Sequence, residues 1–304
     1  MVLSRIISIF LLLVVGFVAR KRKILDSSSI RAITNFVLFI SIPFTIIASF
    51  DRSVPFSAAA DLLKVALLAI AIHALSILIS KIVFAKMPDS KRKILTYTTV
   101  FSNCGFMGFP VAESLFGKTG LMYASIYVMV FNVFVWTYGI ALISKGSAED
   151  RGPSRIKDIV FNPGNIAVLV GFIVWILPFA LPESINYAVS LISASTTPLS
   201  MIVVGSTLAG LSFKGLFADG AAWVGSAMRL LIMPLIFFAI MKIIGLNDEA
   251  TRVTNFLVAM PAAAQTVIFA ERYDADVSLA SSIVFLTTVL SALTIPLAAP
   301  IIGR

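Results

Sequence analysis

Two short stretches carry the residues whose types and spacing suit a solute. Phe101-Ser102-Asn103-Cys104-Gly105-Phe106-Met107-Gly108-Phe109-Pro110 and Ala259-Met260-Pro261-Ala262-Ala263-Ala264-Gln265 each interrupt an apolar run long enough to cross a bilayer. Gly105, Gly108, Pro110 and Pro261 weaken or break a helix there, because proline removes an amide donor and clashes one turn back. In hydrocarbon, freed backbone survives only where other protein or a cavity satisfies it. The half-helix that restarts after each break offers unpaired amides and a partial positive charge, which suits a carboxylate. No acidic residue lies within either break, while Ser102, Asn103 and Gln265 supply polar side chains. The predicted substrate-contacting set is therefore Asn103, Met107, Gly108, Pro110, Pro261, Ala262 and Gln265. The competing reading is a pair of kinked helices packed through small residues. The matching position of the breaks in the two halves favours a binding site.

Four ionisable residues flank these breaks as candidates for coupling or gating. Arg229 falls near the middle of an apolar run, where an arginine costs roughly 2.5–3.5 kcal/mol on insertion scales, so it should face the protein interior. Its roles are a charge that anchors a mobile bundle or takes part in coupling, or a structural cation satisfied by carbonyls. His73 titrates near neutral pH when unperturbed, although a lone buried histidine is more often a hydrogen-bonded core residue. Glu113 and Glu271 end the second parts of the two broken segments. Asn132 could hydrogen-bond to the breaks or to a neighbouring helix. Ser102, Asn103 and Gln265 are also the oxygen-bearing groups able to ligate sodium, a hard cation. One cysteine and one histidine leave no conventional metal centre, and no cofactor is expected. No nucleophile–base pair points to an enzyme.

Composition says what must position these groups. The chain is 59% hydrophobic and 13% charged, with a mean hydropathy of +1.00, whereas soluble domains carry about 25% charged residues. Ten spans are predicted, at about 3–19, 32–50, 62–85, 94–115, 121–144, 163–181, 187–210, 219–244, 252–271 and 278–302. The formal net charge of +9 sorts by side: Arg20 to Lys23, Arg31, Lys81, Lys86, Lys91 to Lys93, Lys145 and Lys157 share one face. Positive charge marks the cytoplasm, so a cell-membrane protein with both termini outside is expected, and nucleic acid is not a partner. The apolar run Ile6–Ala19 precedes its basic cluster, the reverse of a secretory signal, and reads as a retained helix.

The hydrophilic stretch 146–161 divides the chain into two halves of five spans, 1–145 and 162–304. Asn162-Pro163 reads as an N-cap with proline at the first helical position. The halves match loosely at an offset of about 155 to 158 residues: Gly16 with Gly171, Ser41-Ile42-Pro43 with Thr196-Thr197-Pro198, His73 with Arg229, and Ala112-Glu113 with Ala270-Glu271. An odd number of spans per half inverts the second half in the membrane, the arrangement that gives alternating access. The fold class is thus an all-α integral membrane protein of ten helices in two inverted five-helix repeats, carrying a small organic anion.

Three segments resemble the auxin efflux carrier family. Asn103 to Pro110 resembles that family's Asn-x-x-x-Met-Gly-x-Pro stretch. Ala259-Met260-Pro261 through Phe269-Ala270-Glu271-Arg272-Tyr273 resembles its second crossover, and Arg229 to Pro234 its eighth helix. The resemblance implies the fold of bile-acid sodium symporters, with helices 1, 2, 6 and 7 as scaffold and helices 3–5 and 8–10 as transport domain, the fourth and ninth crossing. It also implies a homodimer that moves auxin-like or malonate- and malate-like carboxylates, with substrate on Asn103 and crossover prolines at Pro110 and Pro261. Ser102 stands where plant members carry proline, and the central loop is about 16 residues, which argues against auxin itself. A sodium-coupled symporter of the bile-acid type is the alternative.

Overall fold

The computed structural model describes residues 2–50, 54–145, 157, 160–177, 181–211 and 218–302. Most of the linker, including Ser147, Arg151, Gly152, Pro153 and Arg155, lies outside them. The described residues form helices, with one isolated antiparallel bridge and no named strand. We number them α1 (Val2–Lys21), α2 (Ser27–Ser49), α3 (Phe56–Val83), α4 (Asp89–Val100), α5 (108–116), α6 (118–144), α7 (Pro163–Ile176), α8 (Glu183–Gly210), α9 (Gly220–Ile243), α10 (Glu249–Val258), α11 (Gln265–Arg272) and α12 (Val277–Ile302). Six helical stretches are long and apolar enough to cross a membrane, and α7 is a shorter apolar helix.

Local chemistry sets the boundaries. Asp26, Asn162, Asp219 and Asp248 each cap the helix that follows, accepting from an amide of its first turn. Pro163 occupies the first turn of α7, where no amide donor is lost, as the Asn162-Pro163 dipeptide predicts. Gly117, at φ +62°, separates α5 from α6, and Asp274, at φ +51°, occupies the turn between α11 and α12. These two positive-φ positions fall at the repeat offset read from the sequence. Helices α2, α6 and α9 each contain one π-helical stretch: Val37–Ser41, Val135–Gly139 and Met228–Ile232.

Helices α1, α2, α7 and α8 pack together: α1 lies along the second part of α8, and α7 along α2. The α1–α8 contact is backbone on backbone. A Cβ on Gly205 would sit 1.9 Å from the Leu13 carbonyl oxygen, and one on Gly16 would sit 2.3 Å from that of Ile202. Buried hydroxyls join α2 to α8, with Thr45 Oγ1 2.6 Å from Thr196 Oγ1 and Ser41 Oγ 3.0 Å from Ser195 Oγ. The remaining helices form a second group around α4, α10 and α12.

Two ion pairs tie this second group at its ends. Lys64 on α3 bonds Asp61 at 2.9 Å and the α10 cap Asp248 at 3.0 Å. Lys91 on α4 bonds the α9 cap Asp219 at 2.7 Å. The Lys91 ammonium and the Ala221 amide hold the Asp219 carboxyl below the usual range. At Asp248 partial burial pushes upward, and the Thr251 amide with Lys64 overrides it, leaving that carboxyl low as well.

Candidate functional site: the crossing of two broken helices

The two breaks meet and satisfy one another. Phe101 to Asn103 runs antiparallel to Pro261 to Ala263: the Asn103 amide donates to the Pro261 carbonyl at 2.7 Å, and the Ala263 amide to the Phe101 carbonyl at 3.1 Å. Thr287 on α12 accepts the Ala262 amide at 3.1 Å. Each interrupted helix thus finds backbone partners in the other, which removes most of the penalty for unwinding in an apolar setting. The amides of Gly105, Phe106, Ala264 and Gln265, which lead into α5 and α11, donate to no backbone carbonyl among the described residues.

These amides adjoin a cavity of about 620 Å³, walled on one side by Ser102, Asn103, Gly105, Ala263, Ala264 and Gln265. The facing wall comes from Phe39 and Ile42 of α2, Asn132 and Trp136 of α6, and Asn162 and Gly164 at the start of α7. Lys157 is the one charged residue on the lining, and no Asp or Glu lines it among the described residues. Asn103 is 3% exposed, and its Nδ2 has no hydrogen-bond partner among the described residues. Gln265 Nε2 reaches the Tyr97 hydroxyl at 3.4 Å.

Of the predicted contact set, Asn103 and Gln265 reach the cavity, with Ser102 beside them. Met107, Gly108, Pro110, Pro261 and Ala262 do not line it. Met107 packs with Ile6, Ile9, Phe256 and Met260 on the other side of the crossing. Gly108 lets α5 approach α10, since a Cβ there would meet Leu257 Cδ2 at 2.8 Å. Pro110 is buried, and Pro261 and Ala262 are occupied in the backbone pairing. The amides without a backbone acceptor lie at Gly105–Phe106 and Ala264–Gln265 rather than at Pro110 and Pro261.

Arg229 sits 2% exposed behind the crossing. Its guanidinium donates to Thr99 O at 2.7 Å, to Met260 O at 3.1 Å and to Val258 O. It therefore caps the carbonyl ends of both α4 and α10, where a cation also meets the negative pole of each helix. His73 is fully buried; its Nδ1 bonds Ala69 O of its own helix at 2.7 Å, and Tyr127, Phe131 and Phe134 enclose the ring. Glu113 lies on α5 beside Thr197, whose Oγ1 is 3.5 Å away. Glu271 is exposed near the end of α11, away from the cavity. Asn132 takes the neighbouring-helix option, with Nδ2 3.3 Å from Asn162 Oδ1 and 3.2 Å from Asn165 Oδ1.

The described residues form apolar helices, two of them broken and crossing at a cavity, an architecture that suits a membrane transport protein. The family model described as "Membrane transport protein" matches residues 1–155 and 149–299, and the chain belongs to that family, the auxin efflux carrier family. It is similar to an uncharacterized transporter of Methanocaldococcus jannaschii, 27% identical over 305 residues and covering 96% of each chain. A transporter of Methanothermobacter thermautotrophicus is 28% identical over 296 residues, covering 96% of this chain and 95% of the relative. A putative malonate transporter of Rhizobium meliloti is 21% identical over 205 residues, covering 66% of this chain and 63% of the relative.

Proposed function

We propose that this protein is a secondary transporter of a small organic anion, whose carboxylate binds at the crossing of α4–α5 with α10–α11. One observation carries the reading: among the described residues, amides without a backbone acceptor at two half-helix starts and the unpartnered Asn103 Nδ2 adjoin a cavity that no acidic side chain lines. Oriented dipoles in such a low-dielectric site attract an anion more strongly than they would in water. The malonate named for the Rhizobium meliloti relative falls in the same chemical class. We read the chain as ten spans in two inverted five-helix repeats, with α1, α2, α7 and α8 as scaffold and the other helices as the moving body. Both termini lie outside a cell membrane and residues 146–161 inside, by the distribution of lysine and arginine. Strong labelling of Ser147→Cys in intact cells by an impermeant reagent would overturn that orientation.

A sodium-coupled mechanism has less support, because sodium at Ser102, Asn103 and Gln265 would meet no lining carboxylate. Liposome uptake with and without a sodium gradient separates the two. The carboxylate reading is tested by thermal shift and calorimetry against mono- and dicarboxylates, since a ligand of the native state raises the melting temperature. Asn103→Ala should weaken binding by about 10- to 150-fold, the loss of one hydrogen bond to a charged group, while the protein stays folded. An unchanged dissociation constant would remove Asn103 from the site.

A further inference from the structure

Outside the crossing, one polar contact on the cavity wall joins the two helix groups. Asn132, on α6 of the crossover-bearing group, directs Nδ2 at both Asn162 Oδ1 and Asn165 Oδ1 of α7, at 3.3 and 3.2 Å. Asn162 Oδ1 also caps α7 by accepting the Gly164 amide at 3.0 Å, so its position is fixed by the helix it starts. The opposite end of the interface is closed and largely apolar, where Val111 of α5 packs with Ile6 and Ile9 of α1 and Met201 and Val204 of α8. Two polar contacts cross there, from Arg5 to the Ser114 carbonyl at 3.0 Å and from Thr197 to Glu113 at 3.5 Å. One end of the interface is thus closed by packing, and at the cavity end Asn132 adds a polar contact to the packing of α6 against α2 and α7.

We propose that Asn132 is a latch between the moving body and the scaffold, holding the arrangement in which this cavity is open. This rests on the two-body reading given above. Any displacement of the crossing relative to α7 must break both bonds of Asn132, and while they last the open arrangement is favoured. Neither acceptor is charged, and both distances are at the long end for hydrogen bonds, so the latch is weak enough to be released in a transport cycle. A charged pair at this position would be about twice as strong and would hold the two bodies more tightly.

The test needs no ligand. In a Cys104→Ala background, Val111→Cys reports the opposite arrangement, because Val111 is 1% exposed here and reacts with N-ethylmaleimide only when that interface opens. Ala222→Cys, fully buried within the second helix group, reports general loosening. Asn132→Leu should speed labelling at position 111 by about 2- to 10-fold, the shift expected from losing a pair of long neutral hydrogen bonds made by one amide nitrogen, and leave position 222 unchanged. Asn165→Leu removes one acceptor from the scaffold side, should act in the same direction, and decides the matter if Asn132→Leu does not fold. Unchanged labelling at position 111 in folded variants overturns the latch. Equal acceleration at both positions also overturns it, making Asn132 a packing residue. Carboxylate binding is measured separately, so binding without any labelling response sinks the latch alone, and a labelling response without binding sinks only the carboxylate reading.

Discussion

The two halves of the crossing are alike in backbone and unlike in charge. In each half a helix ends, a few residues pair with the other break, and a short helix restarts towards a positive-φ turn at Gly117 or Asp274. At the matching positions behind the breaks, however, stand His73 and Arg229. His73 bonds its own helix through Nδ1 and is enclosed by aromatic rings, with Nε2 unpartnered among the described residues, while Arg229 reaches across to carbonyls at the ends of both α4 and α10. A single cation thus serves the negative poles of both broken helices, and the positive poles at α5 and α11 remain for a ligand. The ion pairs at the ends of the second helix group show a related exchange. Lys91 on α4 pairs with the cap of α9, whereas the cap of α10, Asp248, pairs with Lys64 on α3, so the signs are swapped between halves. The two breaks thus share a backbone path and differ in the charges placed on it.

The comparison can be broken most directly at its centre. Arg229→Met should lower stability by about 3–5 kcal/mol, because buried carbonyls lose their charged partner, and should abolish carboxylate binding along with it. Arg229→Lys keeps the charge without the planar fork and should fall between wild type and Arg229→Met. His73→Leu should cost about 1 kcal/mol or less, since one bond to its own helix is lost and the aromatic enclosure stays filled. Melting curves of the three variants decide it, and equal losses for His73→Leu and Arg229→Met would erase the asymmetry.

The ion pairs sharpen the comparison on a smaller scale. Each is about one-third exposed, so each is worth about 0.2–1 kcal/mol and weakens with salt. Lys64→Met should cost more than Lys91→Met, because it leaves both Asp61 and Asp248 without their cation. Raising the salt concentration from low to molar should bring the two melting temperatures together, and a difference that survives would have another origin.

Acid gives the smallest effect. Asp219 and Asp248 have folded-state pKa values below their ordinary ones, so their stabilisation is present above the unfolded carboxylate pKa of about 4. It is lost as pH falls through the lower folded values. Melting temperature should therefore hold between neutral pH and about pH 5 with respect to these groups, then fall below about pH 4. Lys91→Met should flatten that acid limb, and an unaltered limb would show that the Lys91–Asp219 pair contributes nothing.

Much of the crossing was legible because glycine, proline and asparagine in an apolar run are strong local signals. The Asn162-Pro163 cap was legible for the same reason, and so was the transporter class. The orientation of α5 was not. Whether Met107 and Gly108 face the cavity depends on how α5 docks against α10, which a one-dimensional pattern does not contain. The far wall of the cavity was equally hidden. Phe39 and Trp136 fall in π-helical stretches, and an apolar run of uniform hydropathy gives no sign that its period has lengthened. Thr287, which accepts the Ala262 amide, is one hydroxyl among several in the last helix and carried no signal in the sequence. Its partner was visible only once the chain had returned to the crossing.

The backbone contact between α1 and α8 has a consequence for how the protein is made. Gly16 finds its neighbour at Ile202, and Ser206 bonds the Gly16 carbonyl at 2.9 Å, so α1 leaves the ribosome long before the helix it docks on. Until then α1 must wait in the bilayer with Gly16 and its carbonyl uncovered. Residues 1–145 made alone should therefore be a substrate for membrane quality control. The same segment co-expressed with residues 162–304 as a separate polypeptide should be rescued from degradation.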